Sequence, residues 1–401
     1  MAVTEPDTLP AAEWMTRPGL DRLAAALGAG EGCARYVGGA VRDTLLGLPV
    51  SDIDVATIHP PREVVARLQA AGIRAVPTGI AHGTITAVAD GTVVEVTTLR
   101  HDVTTDGRHA EVAFTDDWQA DAARRDFTMN ALYAGMHDHR LHDYFGGVAD
   151  LRAGRVRFIG DPLRRIAEDH LRILRFFRFL ARFGDMPDPA GLEACIARAN
   201  DLMALSRERI ADELLKLLVA RDAVGVLRLM TAQAIWLPVL PEIGPAAVDR
   251  LAVLVTAERA AGIPPDPVRR LAALLDAGNA EGVTARLKLS NLQRRRVATA
   301  LGAATGNPLA LGYRLGIEGA VDRLLLAGDP DAAAQVAAWQ RPSLPLSGGA
   351  LVERGLARGP DVARALREVE DRWIAEGFPD AARTAAIADA VVVQALRSSS
   401  N

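Results

Sequence analysis

Asp52 and Asp54 stand two apart in Ser51-Asp-Ile-Asp-Val-Ala-Thr57. On a β-strand, residues two apart project from the same face, so the two carboxylates lie side by side. Paired carboxylates repel unless a cation sits between them. All-oxygen donors at this spacing suit Mg²⁺, which takes one or two protein carboxylates and leaves its other positions to water and phosphate. Upstream, Gly38 and Gly39 in Tyr36-Val-Gly-Gly-Ala-Val-Arg-Asp43 permit a tight turn and a close backbone approach. A short helix beginning near Ala40 would direct free N–H groups and its positive dipole end at a phosphate. A cation beside a phosphate seat implies chemistry on a nucleoside triphosphate. Taken singly, a Gly-Gly pair is also a plain turn, and an Asp-x-Asp pair is also a solvated strand edge. Together, with Arg42 and Asp43 between them, they are far more specific.

Further along, Glu95 on the strand Val93–Thr97 offers a third carboxylate, or simply an acidic residue on a strand face. In Arg124-Arg-Asp-Phe-Thr-Met-Asn-Ala131, helical spacing puts Asp126 and Asn130 on one face. A carboxylate and an amide together match a ribose 2′-OH, which both donates and accepts; the other role for Asp126 is a helix cap. Arg124 or Arg125 would meet phosphate oxygens. In Glu168-Asp-His-Leu-Arg-Ile-Leu-Arg-Phe-Phe-Arg-Phe179, Leu171, Leu174, Phe177 and Phe179 form a buried stripe, with Glu168, Asp169, Arg172 and Arg175 on the other side. One account is an exposed helix laced with ion pairs. The other comes from base edges. Cytosine and adenine each show an amino donor beside a ring-nitrogen acceptor. One Asp–Arg pair matches both, whereas guanine and uracil present the reverse order.

Gly38-Gly-Ala-Val-Arg-Asp-Thr-Leu-Leu-Gly47 with Asp52-Ile-Asp-Val-Ala-Thr57 closely resembles the first motif of the class II tRNA nucleotidyltransferases. These are the CCA-adding enzymes and their poly(A) polymerase relatives. The first motif implies a nucleotide contact for Arg42; Arg124–Ala131 is similar to that family's ribose motif, which implies nucleotide contacts for Arg125, Asp126 and Asn130. Glu168–Arg172 is similar to its E-D-x-x-R nucleobase template, with Glu168 holding Arg172 while Asp169 and Arg172 face the base and Arg175 lies alongside. The resemblance implies that Asp52, Asp54 and Glu95 are catalytic, Asp52 and Asp54 holding Mg²⁺. Asp143–Leu151 resembles the hinge between head and neck, and Leu205–Leu214, with Ser206 as cap, resembles a supporting motif. The mixed-charge stretch Leu99–Trp118 is expected to be a mobile loop. In the family, a loop here carries a basic and acidic pair for the switch from C to A, which points to Arg108. Its full length favours complete CCA addition.

The elements that must position these groups form an α+β chain. A polymerase-β-like nucleotidyltransferase head, a mixed sheet with helices, is expected over residues 1–144. A helical neck follows over 145–220 and a helical body and tail over 221–401. Asp90-Gly91 predicts a hairpin between Thr84–Ala89 and Thr92–Thr97, and His139-Arg140 a second. With 401 residues, 49% of them apolar, the chain can bury several cores. No apolar stretch near 20 residues and no basic, apolar leader are evident, and Cys33 and Cys195 are the only cysteines. A reducing, cytoplasmic setting without a membrane partner is the expectation. The net charge of −4 does not announce a nucleic-acid partner, but Arg152 to Arg182 holds nine arginines against three acidic residues. All eight histidines lie at or before His170, which argues against a histidine metal centre in the helical half. His137, His139 and His142 read as a polar hairpin tip.

The function expected from this resemblance is template-independent addition of CCA to the 3′ end of tRNA from CTP and ATP, with Mg²⁺ and release of pyrophosphate. A bacterial poly(A) polymerase, a partial CC- or A-adding enzyme, and a non-catalytic RNA-binding relative are the alternatives.

Overall fold

The computed structural model describes residues 7–106 and 109–399. Two compact units meet at Pro241–Glu242, so residues 1–144 and 145–220 share the first.

The first unit opens with a 3₁₀ turn, Glu13–Thr16, and helix α1, Leu20–Ala26. Then follow β1 (Ala34–Val37), α2 (Gly39–Leu45), β2 (Ile53–Thr57), α3 (Pro61–Ala70), β3 (Arg74–Gly79), β4 (Thr84–Ala89) and β5 (Thr92–Thr98). The predicted hairpin is present. Asp90 and Gly91 both take positive φ, as a primed two-residue turn requires, and Ala89 pairs with Thr92. After β6 (Arg100–Asp106), β7 (His109–Phe114) and α4 (Trp118–Ala123), strands β8 (Leu132–Gly135) and β9 (Leu141–Asp143) complete the second predicted hairpin. Seven strands form one sheet in the order β3-β4-β5-β2-β1-β8-β9. Within it β2 and β5 run parallel, pairing Asp54 with Glu95, and β1 lies antiparallel to β2 and β8. A mixed sheet with helices was expected, and this is one.

Val37, Ala56, Leu99, Ala122, Tyr133 and Ile159 form a buried cluster that packs α4 on the sheet. Next come α5 (Gly147–Arg152), α6 (Pro162–Glu168), α7 (Leu171–Phe183), α8 (Pro189–Ala197), α9 (Arg207–Leu218) and α10 (Ala223–Ala232). Helix α7 is tied to the head by aromatic rings. Phe158 stacks on Phe176 at 5.5 Å, and Phe127 sits 5.0 Å from Phe158 and 5.1 Å from Phe179. The side chain of Ser206 accepts from the Arg209 amide, the expected cap of α9.

Three local expectations need correction. The stretch Leu99–Trp118 is not a loop: β6 and β7 pair antiparallel from Arg100–Phe114 to Asp106–His109. Its charge suggested a loop, but Val103-Thr-Thr105, Val112 and Phe114 are β-formers, and they prevail. Arg108 lies outside the described residues. Secondly, Arg124–Ala131 is not one helix. Helix α4 ends at Ala123, Phe127 is extended and bridges to Phe158, and a 3₁₀ turn covers Thr128–Asn130. Thirdly, Glu168–Phe179 is broken at Asp169, which is extended (φ −153°, ψ 106°) between α6 and α7. The Asp169 carboxylate there accepts from the Leu171 amide, a bond that competes with continuing the helix.

The second unit is helical. Its core includes an aromatic cluster of Tyr313, Trp373, Phe378 and Trp339. A buried ion network joins Glu258, Arg269, Arg270, Asp322 and Arg296, drawn from four helices. Among the described residues, no helix is long and apolar enough to cross a membrane.

Candidate active site

Asp52 lies just before β2, exposed, its Oδ2 accepting from the Ser51 hydroxyl at 2.9 Å. Asp54 is inside β2 and Glu95 is its partner on β5, so parallel pairing brings the two carboxylates onto neighbouring strands, about 5 Å apart at the backbone. All three carboxylates line one open cavity of about 930 Å³. Among the described residues no arginine or lysine forms an ion pair with any of them. Burial pushes the Asp54 carboxyl up to about 6, and the charges of Glu95 and Asp52 add to that; the Arg125 charge pulls the other way. An excess of negative charge on oxygen donors alone is what a hard divalent cation needs. The described residues contain no closed cage of three or more metal-ligating side chains. Asp52 and Asp54 offer oxygen donors of the kind a hard divalent cation takes, with its remaining positions left to water and phosphate.

Gly38 and Gly39 turn the chain from β1 into α2. Gly38 has φ +67° and ψ −118°, a conformation that favours glycine, and a Cβ there would stand in ordinary contact with the Arg125 guanidinium at 3.5 Å. Arg42 is buried. It donates to Asp43 at 2.8 Å and to the Asn130 side-chain oxygen at 2.6 Å, and lies 4.2 Å over the Phe183 ring. Burial pulls its pKa below the ordinary arginine value despite Asp43.

Asn130 in turn donates to Asp126 at 2.9 Å. The two meet as expected, but through the bend at Phe127 and not through helical spacing. Asp126 is buried and also accepts from its neighbour's amide, Phe127, at 2.8 Å and from Arg175 at 2.6 and 2.7 Å. Burial raises its pKa, yet Arg175 and the hydrogen bonds outweigh that and hold it below the usual carboxylate range. It is no helix cap. Arg175 also reaches Glu213 on α9 at 3.8 Å, and Arg178 reaches it at 2.5 Å.

At the start of α7, Asp169 and Arg172 do not bond each other through their side chains, and each is held by a different partner. Asp169 accepts from Arg209 of α9 at 2.9 and 3.1 Å. Arg172 donates to Glu168 at 2.6 Å, as anticipated, and to the Arg165 carbonyl at 2.8 Å. The Glu168 carboxylate also receives Arg165 at 2.5 Å. Arg165 spans from α6 to the Arg125 carbonyl at 2.6 Å, tying the neck to the ribose segment.

Four residues were missed in the sequence. Asp121 is buried under Arg124 (2.8 Å), Arg125 (3.1 Å) and the Tyr133 hydroxyl (2.7 Å), and so aims Arg125. Its signal was available, since Asp121 precedes the two arginines by three and four on a helix. Arg165, Arg209 and Glu213 act across elements, and no local spacing marks them. The Gly146-Gly147 pair has a packing cause: a Cβ on Gly147 would stand 2.3 Å from the Thr128 carbonyl.

Residues 34–157 match the poly A polymerase head domain family, and residues 187–246 match the family described as the probable RNA and SrmB-binding site of polymerase A. The mitochondrial CCA tRNA nucleotidyltransferase 1 of Homo sapiens is 36% identical over 374 residues, covering 86% of this chain and 83% of its own length. A CCA-adding enzyme of Limosilactobacillus fermentum is 34% identical over 388 residues, covering 90% and 92%. The crystal structure of the Bacillus stearothermophilus CCA-adding enzyme in complex with CTP superposes with a TM-score of 0.71 at 26% identity, covering 90% of this chain and 94% of that one. With relatives this similar along most of its length, the chain belongs to the CCA-adding tRNA nucleotidyltransferases.

Proposed function

We propose that this enzyme completes tRNA 3′ ends by adding C, C and A from CTP and ATP, releasing pyrophosphate at each step. The observation that carries the reading is the uncompensated trio Asp52, Asp54 and Glu95 in an open cavity, on a chain that matches CCA-adding enzymes over most of its length. Asp52 and Asp54 would hold Mg²⁺. Bound there, magnesium would favour the alkoxide form of the attacking 3′-OH and offset charge on the leaving pyrophosphate. Glu95 shapes the same electrostatic field from the next strand. Arg125, anchored by Asp121 and lying against Gly38, supplies positive charge for the triphosphate. Asp126 and Asn130 receive the ribose hydroxyl at the cost of sharing Asp126 with Arg175.

Asp169 and Arg172 recognise the amino-donor, ring-acceptor edge common to cytosine and adenine. Asp169 supplies the acceptor and Arg172 the donor, each held from outside the pair by Arg209 and Glu168 respectively. The second, helical unit would grip the tRNA by shape and phosphate contact. Two unpaired cysteines, Cys33 and Cys195, suit a reducing compartment such as the cytoplasm, whereas the human relative is named mitochondrial.

The test is incubation of full-length protein and Mg²⁺ with a tRNA lacking CCA, giving CTP alone, ATP alone, and both. Two added residues with CTP and three with both support the reading. A long adenosine ladder would indicate poly(A) synthesis, arrest after two residues with both nucleotides would indicate a CC-adding enzyme, and no extension would leave an RNA-binding relative.

A further inference from the structure

Arg17 belongs to none of the motifs above, yet it lines the same cavity as Asp52, Asp54 and Glu95. It closes the Glu13–Thr16 turn, and its guanidinium donates to the Val50 carbonyl at 2.8 Å and the Ser51 carbonyl at 3.2 Å. Those are the two peptides that deliver Asp52. The Ser51 hydroxyl, on the same stretch, donates to the Asp52 carboxylate. Asp52 itself precedes β2 and so lacks the sheet pairing that fixes Asp54. The segment bearing Arg17 is anchored separately. The Trp14 ring is buried, donates to the Thr44 hydroxyl of α2 at 2.8 Å, and packs edge-on against Tyr36 at 4.8 Å.

The geometry points to Arg17 as a positioning residue for the metal-binding carboxylate Asp52. One planar guanidinium spans two successive carbonyls, a fork that lysine cannot reproduce. It therefore fixes the Val50–Asp52 peptides against the N-terminal turn and sets where the Asp52 oxygens stand relative to Asp54. The inference rests on the metal reading of Asp52 and Asp54. Partners that orient a metal ligand without touching the metal typically change metal affinity about 10–100-fold when removed.

The test uses the full-length protein and Mn²⁺ as probe, with free ion counted by electron paramagnetic resonance, alongside the Mg²⁺ dependence of nucleotide incorporation. Arg17→Ala is expected to weaken Mn²⁺ binding about 10-fold, and to raise the Mg²⁺ needed for half-maximal rate by a like factor, while the rate at saturating Mg²⁺ recovers. Arg17→Lys, with one compact donor group, is expected to fall between parent and Arg17→Ala. Arg221, which donates to the Gly184 carbonyl at 2.7 Å outside this cavity, gives the control: Arg221→Ala removes a comparable bond and leaves Mn²⁺ affinity unchanged. Parent-like Mn²⁺ affinity in Arg17→Ala, while Asp52→Asn loses it, overturns the role of Arg17 and leaves the metal site standing. Parent-like affinity in Asp52→Asn overturns the metal reading, and this one with it.

Discussion

Two regions of this molecule gather carboxylates, and they treat them in opposite ways. In the second unit, Asp322 is fully buried and accepts from Arg269 at 2.8 Å and Arg296 at 2.7 Å, while Glu258 accepts from Arg269 and Arg270, each at 2.7 Å. Each acid there faces two guanidiniums. In the first unit, Asp52, Asp54 and Glu95 share a cavity with no cation paired to them, and the Asp54 carboxyl is pushed up to about 6 by burial and its acidic neighbours. A buried charge that is fully matched needs no ligand, so the second network is architecture. A charge left unmatched in an open cavity is held at a cost in stability, which selects for something that binds it. Asp126 falls between these cases, being fully bonded to Asn130, Phe127 and Arg175, yet placed where the ribose is expected.

If that contrast holds, the largest stability effect lies away from the catalytic groups. Asp322→Asn leaves Arg269 and Arg296 facing a neutral amide in a buried site, where removing one partner costs about 3–5 kcal/mol. Urea unfolding should show a loss of that order. Incorporation per folded molecule, measured well below the melting temperature, should remain at the parent level. A loss of rate without a loss of stability would break the contrast.

The mirror-image change is Asp54→Asn. It keeps the shape and removes a metal-binding charge, so nucleotide incorporation should fall at least about 100-fold, equivalent to about 2.7 kcal/mol of transition-state stabilisation. The cation-free protein should not become less stable. Near-parental incorporation would mean that the uncompensated cluster is not the catalytic one.

The same contrast explains what was legible in the sequence. Asp52, Asp54, Gly38 and the Asp90-Gly91 turn act through neighbours one to four residues away, and period-2 and turn chemistry carry that information. The Glu168–Arg172 bond was visible for the same reason, at helical spacing within four residues. Local periodicity misled wherever a distant partner decided the backbone. Phe127 leaves the helical path to bridge Phe158, and Asp169 stops α6 where the apolar stripe would have continued it. Arg209 lay hidden as the third residue of a capped helix, because its partner Asp169 is forty residues away in the chain. Arg17 was equally silent, since a guanidinium bonded to main-chain carbonyls has no partner side chain to mark it.

A smaller effect separates nucleobase recognition from scaffolding. Asp169 is about one-third exposed, so an unmatched base there costs near the low end of the ~1–3 kcal/mol expected for an unsatisfied group. Asp169→Ala and Arg172→Ala should each narrow the preference for CTP and ATP over UTP and GTP about 10-fold, measured with all four nucleotides on a tRNA lacking CCA. If the ion pairs with Arg209 and Glu168 are only surface bracing, both variants will keep parental selectivity and merely melt earlier.

The smallest expected effect is the one that reads the unmatched charge directly. The folded protein holds the Asp54 proton with a pKa of about 6, against an ordinary 3.8, so it binds that proton more tightly than the unfolded chain does. The stability this contributes is complete below about pH 3.8 and is lost as pH rises through about 6. Asn at this position has no proton to lose. The difference in unfolding free energy, Asp54→Asn minus parent, should therefore grow as pH rises from about 4 to 6 and level off above that. Screening across the open cavity limits the change to about 1 kcal/mol. Comparing the two proteins cancels the opposing contribution of carboxylates such as Asp126, whose depressed pKa makes stability fall in acid. Measured in chelator at pH 7, the variant should be the more stable of the two. With Mg²⁺ added, the parent should gain stability and the variant should not, because only the parent retains the charge for the cation to neutralise. A pH-independent difference would show that Asp54 carries no excess charge when folded, and would remove the distinction between the two regions.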